Sequence, residues 1–560
     1  MIDRRFILYI LLGVVAFALW EAWKKDYNVN SAASTVTAAA TTTIASQQAT
    51  GGASIVATEQ TGAAARVIQK QAIVALENRL IKVRTDVLDV AIDLVGGNVV
   101  QADLLKYPEM MRQEKPTRLL NNDAVRYYVA ESGLISALGP DSLAAQAQYA
   151  SPQKEYVLDS AKDSLKIRLL WQGAGGVSVA KIFTFTKGKY DIAVDYEIDN
   201  GSKKQWSGQF YTQIKRKDFD SSKSLFQFST YIGAAISSQE KPYEKMSFSD
   251  IEDATKNKKE FIRDNQGGWI AMQQRYFLSV WVPAQDKIYR YFRNANNGIY
   301  TIGLTENIAI PAGKKETIGA ILYAGPGVTE NIAPLARGLD HTVDYGWLWI
   351  ISVGFFWVLK NIYKLIGNWG WSIVLLTILI KLVFYKLSES SCRSMAKMRE
   401  LVPKMQALKE RYADDRQRLH QATMELYKQE KINPLNFGGC LPMLIQIPFF
   451  IALYYVLIGA VELRHAPFML WIQDLSSRDP YYVLPILMGL SMFLQQRLSP
   501  ASPDPTQAKM MMFMPVVFTL FFMNFPSGLV LYWLVNNLLS VWQQWYINKK
   551  LTVGAKVCRR

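Results

Sequence analysis

The chain has 560 residues, with 63 Lys+Arg against 47 Asp+Glu, a formal net charge of +16, and half of its residues are apolar. The apolar residues are segregated: residues 341–560 hold nearly every long apolar run with 23 basic and 12 acidic side chains, whereas residues 1–340 hold 40 and 35 and read as water-soluble. That division excludes a purely soluble enzyme, a disordered chain and a disulfide scaffold.

The N-terminus reads Met1-Ile2-Asp3-Arg4-Arg5 followed by an apolar run from Phe6 to Trp20. Ala16-Phe17-Ala18 could be cleaved as in a signal sequence, but Trp20, Trp23, Lys24 and Lys25 follow at once and make a poor mature start. Residues 1–25 are therefore expected to be a retained anchor, the first transmembrane helix, with Arg4 and Arg5 holding the N-terminus in the cytoplasm. Residues 26–64 are rich in Ala, Thr, Ser, Gly and Gln without apolar periodicity, the composition of a flexible linker.

Residues 65–340 alternate with period two. Leu88, Val90, Ile92 and Leu94 alternate with Asp89, Ala91 and Asp93 before a Gly96-Gly97-Asn98 turn. Tyr190, Ile192, Val194, Tyr196 and Ile198 alternate with five residues of which four are acidic. One wet and one buried face is the antiparallel pattern, so a large β-sandwich is expected. Cys392, Cys440 and Cys558 are the only cysteines, so this domain contains no disulfide. His341, His420 and His465 are scattered without metal-ligand spacing, and neither a metal nor a cofactor is implied.

Residues 341–367 form an apolar stretch that carries Lys360 and Lys364. It is read as an amphipathic interfacial helix, the alternative being a further span. Transmembrane helix 2 is placed at 368–387, a cytoplasmic helical hairpin at 388–434, transmembrane helices 3 to 6 at 435–548 and a basic cytoplasmic tail at 549–560. Charge supports an even number of spans: residues 386–431 hold 11 Lys+Arg against 7 Asp+Glu and the tail has no acid, so both belong in the cytoplasm with the N-terminus. Two runs are short: Tyr481–Gln495 spans about 22 Å and Met510–Phe525 about 24 Å, against a hydrocarbon core of roughly 30 Å. Local bilayer thinning is one answer, and polar helix extensions another.

Within the hairpin, Met395, Met398 and Met405 recur at helical spacing and either grip partners or hold the two helices together. Lys381 lies inside an apolar span, where a charge faces a wet interior or snorkels to the headgroups. Thr377 lies one turn away, and Gln446, Gln495, Asn536 and Asn537 offer polar partners from other spans. Intramembrane carboxylates, P-loops and nucleophile elbows are missing from the sequence, so ion coupling, nucleotide hydrolysis and proteolysis lack their parts.

Asn368-Trp369-Gly370-Trp371-Ser372, Met395-Ala396-Lys397-Met398, Gly438-Gly439-Cys440-Leu441-Pro442, Gln446-Ile447-Pro448 and Phe525-Pro526-Ser527-Gly528-Leu529 together resemble the YidC/Oxa/Alb family of membrane protein insertases in its Gram-negative form. The resemblance implies a polytopic α-helical membrane protein of six transmembrane helices, five of them an insertase core, with a large periplasmic all-β supersandwich of galactose-mutarotase-like form. It places the groove charge on Lys381, where the family more often has Arg. Groove or substrate contacts fall on Thr377, Gln446, Tyr532, Trp533 and Asn536, and a substrate slide on Pro448 and Phe450. The implied partners are nascent membrane proteins, the lipid bilayer, the Sec translocon and the ribosome and signal recognition particle pathway, with no DNA. The implied place is the bacterial inner membrane, with both termini cytoplasmic and the large domain periplasmic. No catalytic residue is implied, so the chain is expected not to be an enzyme. A solute or ion transporter with a periplasmic substrate-binding domain is the alternative, and an assembly scaffold with an inert groove a third reading.

Overall fold

The alternating segments form two stacked sheets. The computed structural model describes residues 79–557 apart from 112, 143–144, 174, 220–230, 258–262, 413–414, 430–440 and 499–504, so the expected anchor and linker lie outside the described residues. Among the described residues the first sheet runs Arg263–Gln266, Ile288–Asn296, Ile299–Ile310, Trp206–Lys217, Tyr128–Ile135, Asn98–Pro108, Leu88–Asp93, Leu80–Arg84 and Glu155–Val157, with Pro116–Leu120 paired to Asn98–Pro108. The second runs Glu244–Met246, Gly233–Ile236, Ile270–Gln273, Phe277–Pro283, Lys315–Pro326, Asp191–Asn200, Val177–Thr186 and Ser164–Gln172. Nearly every pairing is antiparallel, the exception being Leu80–Arg84 with Glu155–Val157.

Asp191–Asn200 shows why this sequence makes a strand: Ile192, Val194, Tyr196 and Ile198 are buried, and the residues between them are half-buried. The buried faces meet in one core that holds the fully buried Trp206, Trp269 and Trp281. Helix α1, Phe248–Lys256, packs beside the first sheet and starts at a capping box in which Ser247 and Asp250 satisfy each other's backbone N–H groups.

The C-terminal part is helical. Helices α2 (Trp349–Ile366), α3 (Trp369–Val383), α4 (Tyr385–Arg411), α5 (Arg416–Gln429), α6 (Leu441–Gly459), α7 (Val483–Leu498), α8 (Pro505–Phe522) and α9 (Ser527–Val557) follow in order. Gly367, at φ +72°, ends α2, and the Asn368 side chain accepts the Trp371 N–H at 3.1 Å to begin α3. Among the described residues α2 is the one helix both long and apolar enough to cross a bilayer. Trp369–Val383, Gln446–Gly459, Val483–Leu498 and Met511–Phe522 are shorter apolar helices. A count of six spans is thus not read from helix length.

Two arginines tie the β-domain to the helices. Arg464, just beyond α6, donates to the Glu109 carbonyl at 3.0 Å and the Thr117 hydroxyl at 3.3 Å, and its guanidinium lies 5.3 Å from the Phe277 ring centre. Arg275 returns the contact, donating to the Ile458 carbonyl at 3.2 Å. Val461 enters the core of the β-domain itself. Lys360 of α2 forms an ion pair with Glu330. Burial raises the Glu330 pKa, but the hydrogen bond and charge of Lys360 outweigh it and leave the carboxyl below its usual range.

Candidate functional site

Lys381 sits in the last turn of α3, half-buried, and its Nζ donates to Ser540 Oγ on α9 at 2.8 Å. Ser540 Oγ donates back to the Asn536 carbonyl at 2.8 Å, so the charge is anchored to the α9 backbone through one hydroxyl. Thr377, one turn before Lys381, is 1 % exposed and donates to its own helix at the Ile373 carbonyl, 2.7 Å away. Its hydroxyl is therefore spent locally, as is common for Thr in apolar helices.

Nearer the middle of α9, Tyr532 is fully buried and its hydroxyl accepts a hydrogen bond from Gln446 Nε2 of α6 at 3.2 Å. A second cross-helix pair lies on the neighbouring face of α9, where Asn537 Nδ2 donates to Ser491 Oγ of α7 at 3.1 Å. Tyr532 and Ser540 are eight residues apart, about 12 Å along the axis. The structure therefore brings Lys381, Gln446, Tyr532 and Asn536 onto α9 as a polar seam reached from α3 and α6.

Trp533 joins a different environment. Its ring packs on Phe450 of α6 at 5.0 Å, nearly perpendicular, and on Phe522 of α8 at 5.3 Å. Phe518 stacks against it from one turn earlier in α8. The Trp533 Nε1 group is buried without a hydrogen-bond partner among the described residues, an unusual state for an indole. Pro448, half-buried within α6, lies two residues before Phe450 and removes one backbone donor from that helix. The polar seam and the aromatic cluster thus meet at Tyr532 and Trp533, adjacent residues on α9.

The three methionines of the expected hairpin all lie on α4. Met405 lies on α4 and accepts the Tyr427 hydroxyl of α5 at its Sδ, 3.6 Å away, which ties the two helices together. Met395 and Met398 are on α4 as well, nearer α3.

Two family models match this chain. The model described as 60Kd inner membrane protein matches residues 361–554, and the YidC periplasmic domain matches residues 80–358. A membrane protein insertase YidC from Coxiella burnetii is 46% identical over 559 residues, covering 98% of this chain and 96% of its own length. The chain belongs to the YidC family of membrane protein insertases. A YidC insertase from Pseudomonas putida is 46% identical over 568 residues, covering 99% of both chains. A crystal structure of an active YidC insertase with its first transmembrane domain resolved covers 85% of this chain and 97% of its own, at 18% identity and a TM-score of 0.37.

In this YidC family member the polar seam has members that sequence reasoning did not single out. Ser540 contacts Lys381, and Ser491 contacts Asn537. Serine is too common in helices to stand out; Ser540 alone lies four and three residues from Asn536 and Asn537 on one face of α9, while Ser491 sits on a different helix. Phe518 and Phe522 were equally hidden within a uniformly apolar run.

Proposed function

We propose that this chain is a membrane protein insertase and chaperone that moves hydrophilic segments of inner-membrane proteins across the bilayer through a wet, positively charged groove. Insertion of membrane proteins is the activity of its family, and the chain is not an enzyme: no covalent bond need be made or broken. The observation that carries the groove reading is Lys381, a cation within an apolar helix held against Ser540. A charge there is costly unless hydrated or paired, so it marks a place where water and polar chain segments are accommodated. An incoming acidic or polar segment is attracted to it, while apolar segments pass along Pro448, Phe450 and Trp533 into lipid, driven by the hydrophobic effect.

The topology is part of the same reading. Six spans, a first anchor among residues 1–25, cytoplasmic termini and a cytoplasmic α4–α5 hairpin place the β-domain in the periplasm. The Lys360–Glu330 pair favours an interfacial α2. Lys360 lies eleven residues beyond Trp349, about 16 Å along the helix, yet still reaches the β-domain. A helix entering the bilayer directly would carry Lys360 away from Glu330. The hairpin is suited to meet the ribosome or the signal recognition particle, and the β-domain the Sec translocon.

The test is insertion of a small two-span protein into sealed liposomes holding only this chain, scored by protease protection of the translocated loop. Protection that depends on the chain and falls in Lys381→Glu supports a self-sufficient insertase working through groove charge. Protection no greater than in empty liposomes, with orientation verified, removes that reading.

A further inference from the structure

Beneath the β-domain lies an open cavity of about 860 Å³, bounded by the segment 340–349, the outward face of α2 and the Tyr243–Lys245 strand end. Its volume is within the range of small-molecule sites, about 300–1,000 Å³. One wall is aromatic: Trp347, Trp349 and Trp357 are 71, 56 and 68 % exposed, three indoles on one stretch of chain left largely uncovered by the described residues. Tryptophan in this setting is the side chain of the membrane–water interface.

The other wall carries charge of both signs. Lys245 pairs with Asp344 at 2.8 Å and Lys360 pairs with Glu330, and each ammonium retains further N–H donors. Asp340 lines the same cavity, and its carboxylate has no hydrogen-bond or ion-pair partner among the described residues. Among the carboxylate and ammonium groups of the lining, Glu330, Asp340 and Asp344 face Lys245 and Lys360, a net charge of about −1 from these five. An anionic headgroup would meet net repulsion there. A headgroup with its own ammonium and phosphate finds a carboxylate and indole faces for the first and lysine donors for the second.

We propose that this cavity binds the headgroup of a zwitterionic phospholipid bearing a primary ammonium, with its acyl chains leaving along the exposed apolar face of α2. The ammonium sits against Asp340 and the indoles, and the phosphate toward Lys245 and Lys360. The site pins α2 and the base of the β-domain to the outer leaflet beside α6. It rests on the interfacial placement of α2 argued above.

The experiment is native mass spectrometry of the full chain in detergent, offered phosphatidylethanolamine and phosphatidylglycerol at equal concentration. Retention of the first over the second by about tenfold or more is expected, equivalent to about 1.4 kcal/mol. Asp340→Asn should remove that preference without lowering phosphatidylglycerol retention. Trp357→Leu, which keeps an apolar side chain and removes the ring, should weaken it by about threefold or more. Equal retention of the two lipids, or a preference that survives both substitutions, overturns the proposal.

A second measurement separates the two readings. A single cysteine replacing Lys364, exposed near the end of α2 and outside the cavity, in a cysteine-free chain should react with an impermeant maleimide added outside sealed spheroplasts, as should a control at Val125. Labelling at 364 with no lipid preference removes the lipid site alone. No labelling at 364 beside a labelled control removes the interfacial placement and the lipid site together.

Discussion

The Lys381 ammonium donates to the Ser540 hydroxyl at 2.8 Å, and that hydroxyl donates to the Asn536 carbonyl one turn back in α9. Serine here orients a charge that it does not create. Ser540→Ala should therefore change insertion of a client with an acidic translocated segment by less than about threefold, whereas Lys381→Glu should lower it by about tenfold or more, since it inverts the local charge. Lys381→Arg should retain activity. Protease protection in liposomes reads all three, and an inactive Ser540→Ala beside an active Lys381→Glu would reverse the assignment.

Gln446 and Tyr532 form a cross-helix pair whose strength can be isolated. Tyr532 is fully buried, so Gln446→Leu strands its hydroxyl, and Tyr532→Phe strands the amide. The double substitution removes both polar atoms. A double-mutant cycle on unfolding in detergent should give a coupling of about 0.6 kcal/mol, and at most about 1.7, the range for hydrogen bonds between membrane helices. A coupling of zero would mean that the 3.2 Å contact is incidental.

Much of the architecture was written in residue patterns. Asp191–Asn200 was legible because one face packs in the core and the other is half-exposed, which forces strict alternation. The α2–α3 boundary was legible because Gly367-Asn368 supplies both a left-handed stop and a cap. Lys381 was legible because a charge among apolar residues is conspicuous. Its contact with Ser540 was not, since 159 residues separate them and nothing local encodes which helices touch. The sequence offers Gln446 as a candidate partner of that charge, yet its described bond goes to Tyr532. The Lys360–Glu330 pair was hidden for the same reason: lysines on an apolar helix say that one face is wet, not what they meet.

Gly489 of α7 faces Thr519 of α8, whose Oγ1 occupies the place a β-carbon would take. Thr519 Oγ1 also donates to the Pro515 carbonyl, 2.7 Å away in α8. Gly489→Ala should therefore displace that hydroxyl and cost about 1–3 kcal/mol of helix packing. Thr519→Ala in the same chain should recover most of the loss by clearing the space. Thermal unfolding in detergent checks this, and a double variant no more stable than Gly489→Ala would show that the close approach is not the cause.

Lys181 makes the stability of the β-domain pH-dependent. The side chain is fully buried between the sheets, where Nζ donates to the carbonyls of Gly96 at 3.0 Å and Ser132 at 2.8 Å. A β-carbon at Gly97 would lie 2.9 Å from its Cδ, so the glycine turn makes room for the amine. Burial pulls its pKa down to about 7, with Asp141 and Glu131 opposing the shift. Between about 7 and the ordinary 10.5 the folded amine is neutral while the unfolded one is charged, so unfolding takes up a proton. Stability should rise with pH across that window, by about 1 kcal/mol per unit from pH 7.5 to 9, and be lost as pH falls toward 7. In Lys181→Met the slope should vanish, and the two carbonyls left without this donor should cost about 1–3 kcal/mol each at alkaline pH. Unfolding of the full chain in detergent, followed by near-UV dichroism, to which the buried Trp206, Trp269 and Trp281 of the β-domain contribute, measures both effects. An unchanged slope in the methionine variant would place the titration on another group.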